Sequence, residues 1–258
     1  MLKIKTLPGF EDIDKVAIAI ERLKTFEPKG GYYLAFSGGK DSIVIKALAD
    51  MAGVKYDAHY SMTTIDPPEL VRFIKKHHPD VSIDRPDKSF FQLVVSHGFP
   101  TRMSRWCCEY LKECGGTGRL VVTGIRWDES YKRSRRKMVE QCYRDKSKKF
   151  LNVIVDWSDM DVWQFITEQK LPYCELYDKG WKRIGCLFCP MSTHRKTEVE
   201  MYPKFRKAFI SAFEKLYENR KSRGKPSVDR WSSGKDMFNW WINENRTKEI
   251  PDQGVMFE

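Results

Sequence analysis

The sequence predicts an α/β fold, a doubly wound parallel sheet, with a helical C-terminal appendage. Three observations predict it. Short apolar runs alternate with helix-length segments from Tyr32 to Gln169, the order that lays parallel strands side by side with helices on both faces. The run Tyr32-Tyr33-Leu34-Ala35-Phe36 breaks at Ser37-Gly38-Gly39 and reopens in a breaker-poor segment through Met51, a strand, a tight turn and a helix. From His194 onward the alternation gives way to a charged helical pattern. The division expected is therefore an α/β domain over 1–193 and a helical extension over 194–258.

A chain of 258 residues, 41% hydrophobic and 13% aromatic, has material for one large core or for one core and an appendage. Residues 1–14 hold no apolar signal-like stretch, and no run approaches the ~20 apolar residues of a membrane span. A cytoplasmic protein with no membrane partner is expected. Seven cysteines, two adjacent, suit a reducing compartment and a metal or cluster better than a disulfide framework.

In chain order, residues 9–26 read as an amphipathic helix carrying Ile13, Val16, Ile20 and Leu23 on one face. Then comes the strand ending at Phe36. The turn Ser37-Gly38-Gly39-Lys40-Asp41-Ser42 is an anion cradle, because the first N–H groups of a helix have no internal partner. Gly38 and Gly39 permit close backbone approach, Lys40 adds charge, and Ser37 and Ser42 add hydroxyls. Asp41 follows the lysine where a Walker A loop has Ser or Thr. The plainer reading is a helix cap, which needs neither two glycines nor the Lys-Asp pair. Val54–Met62 reads as the second strand, followed by Thr63, Asp66 and a proline-initiated helix to His77. Val81–Ile83 and Leu120–Ile125 read as strands and Phe90–His97 as a helix. Phe150–Val155 is a further strand, and Ser158 caps a helix through Gln169. The adjacent His77 and His78 read as a polar helix end.

Net charge is +11, and 132–149 alone holds nine Lys/Arg against Glu140 and Asp145. Lys132 through Lys149 thus fits a nucleic-acid partner or a solvated surface loop. Cys186 and Cys189 form C-x-x-C between Gly185 and Pro190, and Cys107 and Cys108 are vicinal. Four thiolates suit zinc or an iron–sulfur cluster. Neighbouring residues rarely point at one ion, and a cube with separated irons accommodates them better. Buried small hydrophobes are the other reading of Cys107 and Cys108. Past residue 194, Met201, Phe205, Phe209, Phe213, Leu216 and Tyr217 form a stripe that reads as a packing face. Ser232-Ser233-Gly234 reads as a cap ahead of Phe238, Trp240, Trp241 and Ile242, aromatics that stack bases or dock on the main domain.

The loop Ser37–Ser42 resembles the PP-loop of the N-type ATP pyrophosphatases. Arg105-Trp106-Cys107-Cys108 with Cys186-x-x-Cys189 is similar to the cysteine pattern of assimilatory adenylyl-sulfate reductases and of the DNA-phosphorothioation ATP pyrophosphatases. Thr123-Gly124-Ile125-Arg126 with Glu129-Ser130, Asp156-Trp157 with Asp161-Val162-Trp163, and Leu171-Pro172 through Leu176-Tyr177-Asp178 match as well. On these motifs the chain is identified as a member of the phosphoadenosine-phosphosulfate reductase family over roughly 30–193, closest in motif make-up to the phosphorothioation enzymes. The resemblance implies an adenine-nucleotide α-hydrolase fold and ATP cleavage between the α and β phosphates. It implies ATP or a sulfonucleotide held by Ser37, Gly38, Gly39, Lys40, Asp41 and Ser42, with Thr63, Asp66 and Gly124 beside them. Asp41 would place Mg2+. Arg126, Arg133 and Lys132 would orient the anionic substrate. Cys107, Cys108, Cys186 and Cys189 would hold a [4Fe–4S] cluster, with zinc as the alternative occupant.

The loop has the ATP-cleaving form, whereas reductases carry a degenerate one and use a tail cysteine. No cysteine follows Cys189, and Glu113-Cys114-Gly115 matches that tail motif only locally. The expected function is adenylation of a substrate for sulfur transfer to nucleic acid, with a cysteine desulfurase as sulfur donor. The alternatives are a sulfonucleotide reductase using thioredoxin, and a nucleotide- and cluster-dependent nucleic-acid-binding regulator. A homo-oligomer is compatible with all three.

Overall fold

The computed structural model describes residues 3–4 and 13–243. They fall into two compact units. One takes the chain through Met62, then Asp66–Arg85 and Cys114–Ile184; the other takes Thr63–Ile65, Pro86–Glu113 and the chain from Gly185. The units are thus interleaved in sequence rather than divided at 193. The residues that carry the four paired cysteines cluster with the C-terminal helices.

The first unit is built on a six-stranded sheet in the order β5-β4-β3-β6-β8-β7. Its strands are β3 (Tyr32–Ala35), β4 (Tyr56–Ser61), β5 (Ser82–Asp84), β6 (Leu120–Thr123), β7 (Val139–Gln141) and β8 (Lys149–Asn152). All neighbours are parallel except β7 on β8. Tyr32, Leu34, Val122 and Leu151 are fully buried, as central strands covered on both faces require. The sheet reverses direction of growth between β3 and β6, and open α/β sheets bind ligands at the carboxyl ends of such strands.

Helix α1 (Lys15–Thr25) starts later than the periodicity predicts, because the Asp14 carboxylate accepts hydrogen bonds from Val16 N and Ala17 N at 3.0 and 3.1 Å and so sets the cap. Ile13–Asp14 (β2) instead pairs antiparallel with Lys3–Ile4 (β1), and the rest of the predicted start, 9–12, lies outside the described residues. Arg22 of α1 clasps Asp156 through two bonds of 2.8 Å. Helices α2 (Lys40–Ala52), α3 (Pro68–His77) and α6 (Asp159–Glu168) complete the unit. Ser158 caps α6 in a reciprocal box with Asp161, as expected.

The basic run is not all loop. Its middle is β7, an antiparallel edge strand that the charge pattern concealed. Asn152, fully buried, donates to Lys137 O and Glu140 Oε1 at 2.7 and 2.8 Å and ties the edge to the sheet. Lys148 is buried, while Lys132, Arg135, Lys137, Arg144, Lys146 and Lys149 are exposed.

The second unit holds α4 (Phe90–His97), α5 (Trp106–Leu111), α7 (Arg195–Met201), α8 (Pro203–Ser222) and α9 (Gly234–Asn243). The charged helical pattern from His194 onward is not continuous. Pro203 splits it, because proline lacks an N–H and keeps Tyr202 out of the helical region. Met201 is consequently half-exposed, while Phe209, Phe213 and Leu216 face inward. Phe238 and Trp241 pack on Phe209 and Phe213 at 5.3–6.2 Å between centroids, and Trp241 Nε1 donates to Pro100 O at 2.7 Å. These two rings are core, not base-stacking platforms. Gly234 lets α9 meet α8: a Cβ there would lie 2.3 Å from Glu214 backbone atoms. The chain beyond Asn243, including Val255–Glu258, lies outside the described residues.

His78 is buried rather than part of a polar turn, with its ring against Phe36 and Phe73. Burial holds its pKa down to about 4 against an ordinary 6.5. The unfolded chain takes up this proton near pH 6.5 and the folded one only near 4, so stability falls as pH drops through that window, by about 2–3 kcal/mol. Denaturant titrations between pH 7 and 4 should show the slope, and His78→Phe should flatten it.

Candidate functional site

The loop after β3 lies at the carboxyl end of the central strand, beside the end of β6. Phe36 N donates to His59 O at 2.9 Å, the last strand-like bond before the turn. Gly38 has φ 71, and a Cβ would come within 2.7–2.8 Å of Leu70 and Ile74 of α3. Gly39, without a side chain, leaves the start of α2 uncapped. Ser37 Oγ and Ser42 Oγ lie 3.2 Å apart, and Ser42 Oγ donates to Gly39 O at 2.8 Å. Glycine freedom, two hydroxyls and the positive end of a helix dipole converge here, which favours an anion of phosphate size.

Lys40 is only 5% exposed. Its Nζ pairs with Asp159 Oδ1 at 3.0 Å and donates to Lys182 O at 3.0 Å. Its backbone N donates to Tyr177 Oη at 2.8 Å. Burial pushes the Tyr177 phenol above its ordinary pKa, so it remains a neutral hydroxyl that can also donate. Tyr177, Asp159 and the Lys182 carbonyl had no assigned role in the sequence reading. The Leu176-Tyr177-Asp178 motif was the available signal for the first.

Arg126 follows β6 and is 2% exposed. Its Nε meets Asp41 Oδ1 at 2.7 Å, Nη2 meets Asp159 Oδ1 at 3.0 Å, and Asp128 lies at 3.6 Å. Burial disfavours the cation, but Asp41, Glu129 and Asp159 outweigh it and raise the Arg126 pKa. Arg126, expected to orient the anionic substrate, is held here by Asp41 and Asp159. Burial raises the Asp41 pKa, with Arg126 and Lys40 opposing. Gly124 is required by the same approach, since a Cβ there would lie 2.9–3.0 Å from Asp41. Arg133, expected beside Arg126, is ion-paired with Glu129, and Lys132 is exposed. Thr63 and Asp66 are both buried, and they fall in different units.

In the second unit, Cys107 and Cys108 open α5 while Cys186 and Cys189 form a turn ahead of α7. Arg105 Nη2 lies 3.2 Å from Cys108 Sγ, and Arg102 Nε donates to Pro190 O at 3.2 Å. The hydrogen bond between the vicinal thiols raises the Cys107 pKa, reinforced by burial and by the charges of Cys108, Cys186 and Cys189. The same bond, with Arg105 helping against burial, lowers the Cys108 pKa. Four thiols that feel one another suit thiophilic metal. Among the described residues, however, no three His, Cys, Asp or Glu side chains converge on one ion. Thiolates on separate irons of a cluster stand farther apart than those on a single zinc. Cys174 is buried and Cys114 exposed.

The phosphoadenosine phosphosulfate reductase domain model matches residues 31–192. An uncharacterised protein of Methanocaldococcus jannaschii is 32% identical over 72% of this chain and 40% of its own length. An adenosine 5'-phosphosulfate reductase of Oceanobacillus iheyensis is 29% identical over 55% of this chain and 60% of its own. The chain thus spans 40–60% of the length of these curated relatives. The phosphoadenylyl-sulfate reductase of Candida auris, solved as a phosphate complex, superposes with a TM-score of 0.51 at 22% identity, covering 65% of this chain and 87% of that one. No described helix is long and apolar enough to cross a membrane.

If Arg126 is a clamp, Arg126→Met strands Asp41 and Asp159 and should cost about 2–3 kcal/mol, less than a fully buried pair because Asp159 is half-exposed. Urea unfolding measures it. A loss under about 0.5 kcal/mol would return Arg126 to the role of a substrate arm.

Proposed function

The chain belongs to the phosphoadenosine phosphosulfate reductase family, and from that premise we propose that it is a PP-loop ATP pyrophosphatase that adenylates an acceptor for sulfur transfer. The observation that carries the reading is the intact, uncapped start of α2, with Lys40, Ser37 and Ser42 around it at the switch point of the sheet. The phosphate held by the Candida auris relative is in keeping with an anion at this loop.

In the proposed reaction an acceptor oxygen attacks the α-phosphorus of ATP. The bond to the α–β bridging oxygen breaks, and pyrophosphate leaves with the electron pair. Amides of the loop, the Ser37 and Ser42 hydroxyls and Lys40 bind the departing pyrophosphate, where negative charge grows. The Tyr177 hydroxyl, accepting from Lys40 N, presents its own proton toward the same anion. Mg2+ would be held by Asp41 and would neutralise phosphate charge. Arg126 is a positioning residue for Asp41 and Asp159. The thiols Cys107, Cys108, Cys186 and Cys189 would hold a [4Fe–4S] cluster, or zinc, and a bound cluster would supply electron or sulfur chemistry. The exposed cations from Lys132 to Lys149 would draw in a nucleic-acid acceptor, helped by Tyr131 beneath the Arg135 guanidinium and by Tyr143, 97% exposed. A cysteine desulfurase would supply sulfur.

One observation favours a second reading. Several similar curated proteins are adenosine 5'-phosphosulfate reductases, and a reductase would release sulfite using thioredoxin.

Anaerobically purified protein given ATP and Mg2+ should release equal pyrophosphate and AMP. Lys40→Met should lower that rate by about 100-fold, the loss expected for one charge-stabilising donor. Absence of both products with acceptor and metal present overturns the proposal, and sulfite formed from adenylyl sulfate establishes the second reading instead. Binding of a single-stranded oligonucleotide should weaken steeply with salt, and Lys132→Glu/Arg135→Glu should flatten that dependence.

A further inference from the structure

Glu198 is 1% exposed, and nothing in the proposed reaction uses it. It lies on α7, just past the Cys186–Cys189 turn. Its Oε2 accepts from Phe188 N at 2.5 Å, in the middle of that turn. Its Oε1 accepts from Ser192 Oγ at 2.6 Å, and Ser192 N in turn donates to Cys189 O at 2.8 Å. Both carboxylate oxygens are thus spent on the segment carrying the two thiols.

Arg195, three residues earlier on the same helix and also buried, takes the other polar group of the same residue: its Nε donates to Phe188 O at 3.2 Å. Phe188 needs such restraint. Its φ of 58 is left-handed, a conformation costing a side-chain-bearing residue about 1–2 kcal/mol. Its ring is fully buried and meets Phe209 and Phe238 at 4.8 and 6.4 Å. The backbone angles at Phe188 decide how Cys189 is aimed relative to Cys186. Burying a carboxylate is costly unless it is hydrogen-bonded. Here it is, and both bonds serve the turn.

We propose that Glu198, aided by Arg195, is a positioning residue that holds the Cys186–Cys189 turn in its thiol-presenting shape before any metal arrives. The inference rests on reading the four thiols as a metal or cluster site. Residues that orient ligands through hydrogen bonds alter metal affinity by about 10–100-fold when removed.

The test uses the full chain, purified without oxygen, as wild type, Glu198→Ala, Glu198→Gln and Ser192→Ala. Three quantities are read: iron and sulfide (or zinc) per chain, the rate of metal release to a chelator, and hydrogen exchange at the Phe188 amide. Glu198→Ala should release metal at least ten times faster and expose the Phe188 amide. Glu198→Gln keeps an acceptor and should stay near wild type. Ser192→Ala removes one contact only, should fold if Glu198→Ala does not, and should release metal a few-fold faster. Raised exchange with unchanged release overturns the inference, as does Glu198→Gln failing as badly as alanine. If the wild type holds neither iron and sulfide nor zinc, the metal reading fails by itself. Exchange at Phe188 then decides whether Glu198 shapes the turn: unchanged protection in Glu198→Ala rejects it, and raised exchange upholds it.

Discussion

The buried guanidinium of Arg126 is the constraint on which the first unit depends. It comes from the loop after β6, yet its nitrogens bind Asp41 on the first turn of α2 and Asp159 on the first turn of α6. Three chain segments far apart in sequence are thereby drawn to one point at the sheet's carboxyl edge. Taking that cation from water is repaid only because several carboxylates surround it. Lys40 shares Asp159 with it, so Lys40 and Arg126 belong to one charge network. A phosphate entering the loop would join this network and compete for its cations.

The same network explains the glycines. Gly38 turns the chain at positive φ under the side chains of α3, and Gly124 lets the end of β6 touch Asp41. A β-carbon at Gly124 would push Asp41 and the start of α2 off the end of β6, and one at Gly38 would strain the positive-φ turn against Leu70 and Ile74. Gly39 supplies no side-chain cap to α2, and Tyr177 takes the amide of Lys40. A neutral phenol there is both acceptor and donor, so it satisfies the backbone without excluding an anion.

The second unit obeys a different logic. Its core is aromatic, with Phe209, Phe213, Phe238 and Trp241 in mutual contact. The C-x-x-C turn is anchored on that core through Phe188 and on α7 through Glu198 and Arg195. A stiff support suits thiols that must stay aimed when unligated. The charges at Cys107 and Cys108 are likewise divided by their own hydrogen bond and by Arg105.

Local chemistry made much of this legible from the residues alone. Strand, glycine turn and helix at 32–51, the Ser158 cap, and a packing role for Phe209 and Phe213 follow from periodicity and capping, which act over a few residues. The family was legible too, because its motifs are short and rigidly spaced. Other features depended on partners hundreds of atoms away along the chain. A burial site for His78, an edge strand inside the basic run, the interleaving of two units and the pairing of Arg126 with Asp41 and Asp159 were of that kind. Side-chain charge announces what a residue can pair with, but only the tertiary fold decides which pair forms first. Arg126 met Asp41 and Asp159 because β3 and β6 end, and α2 and α6 begin, at the same edge of one sheet.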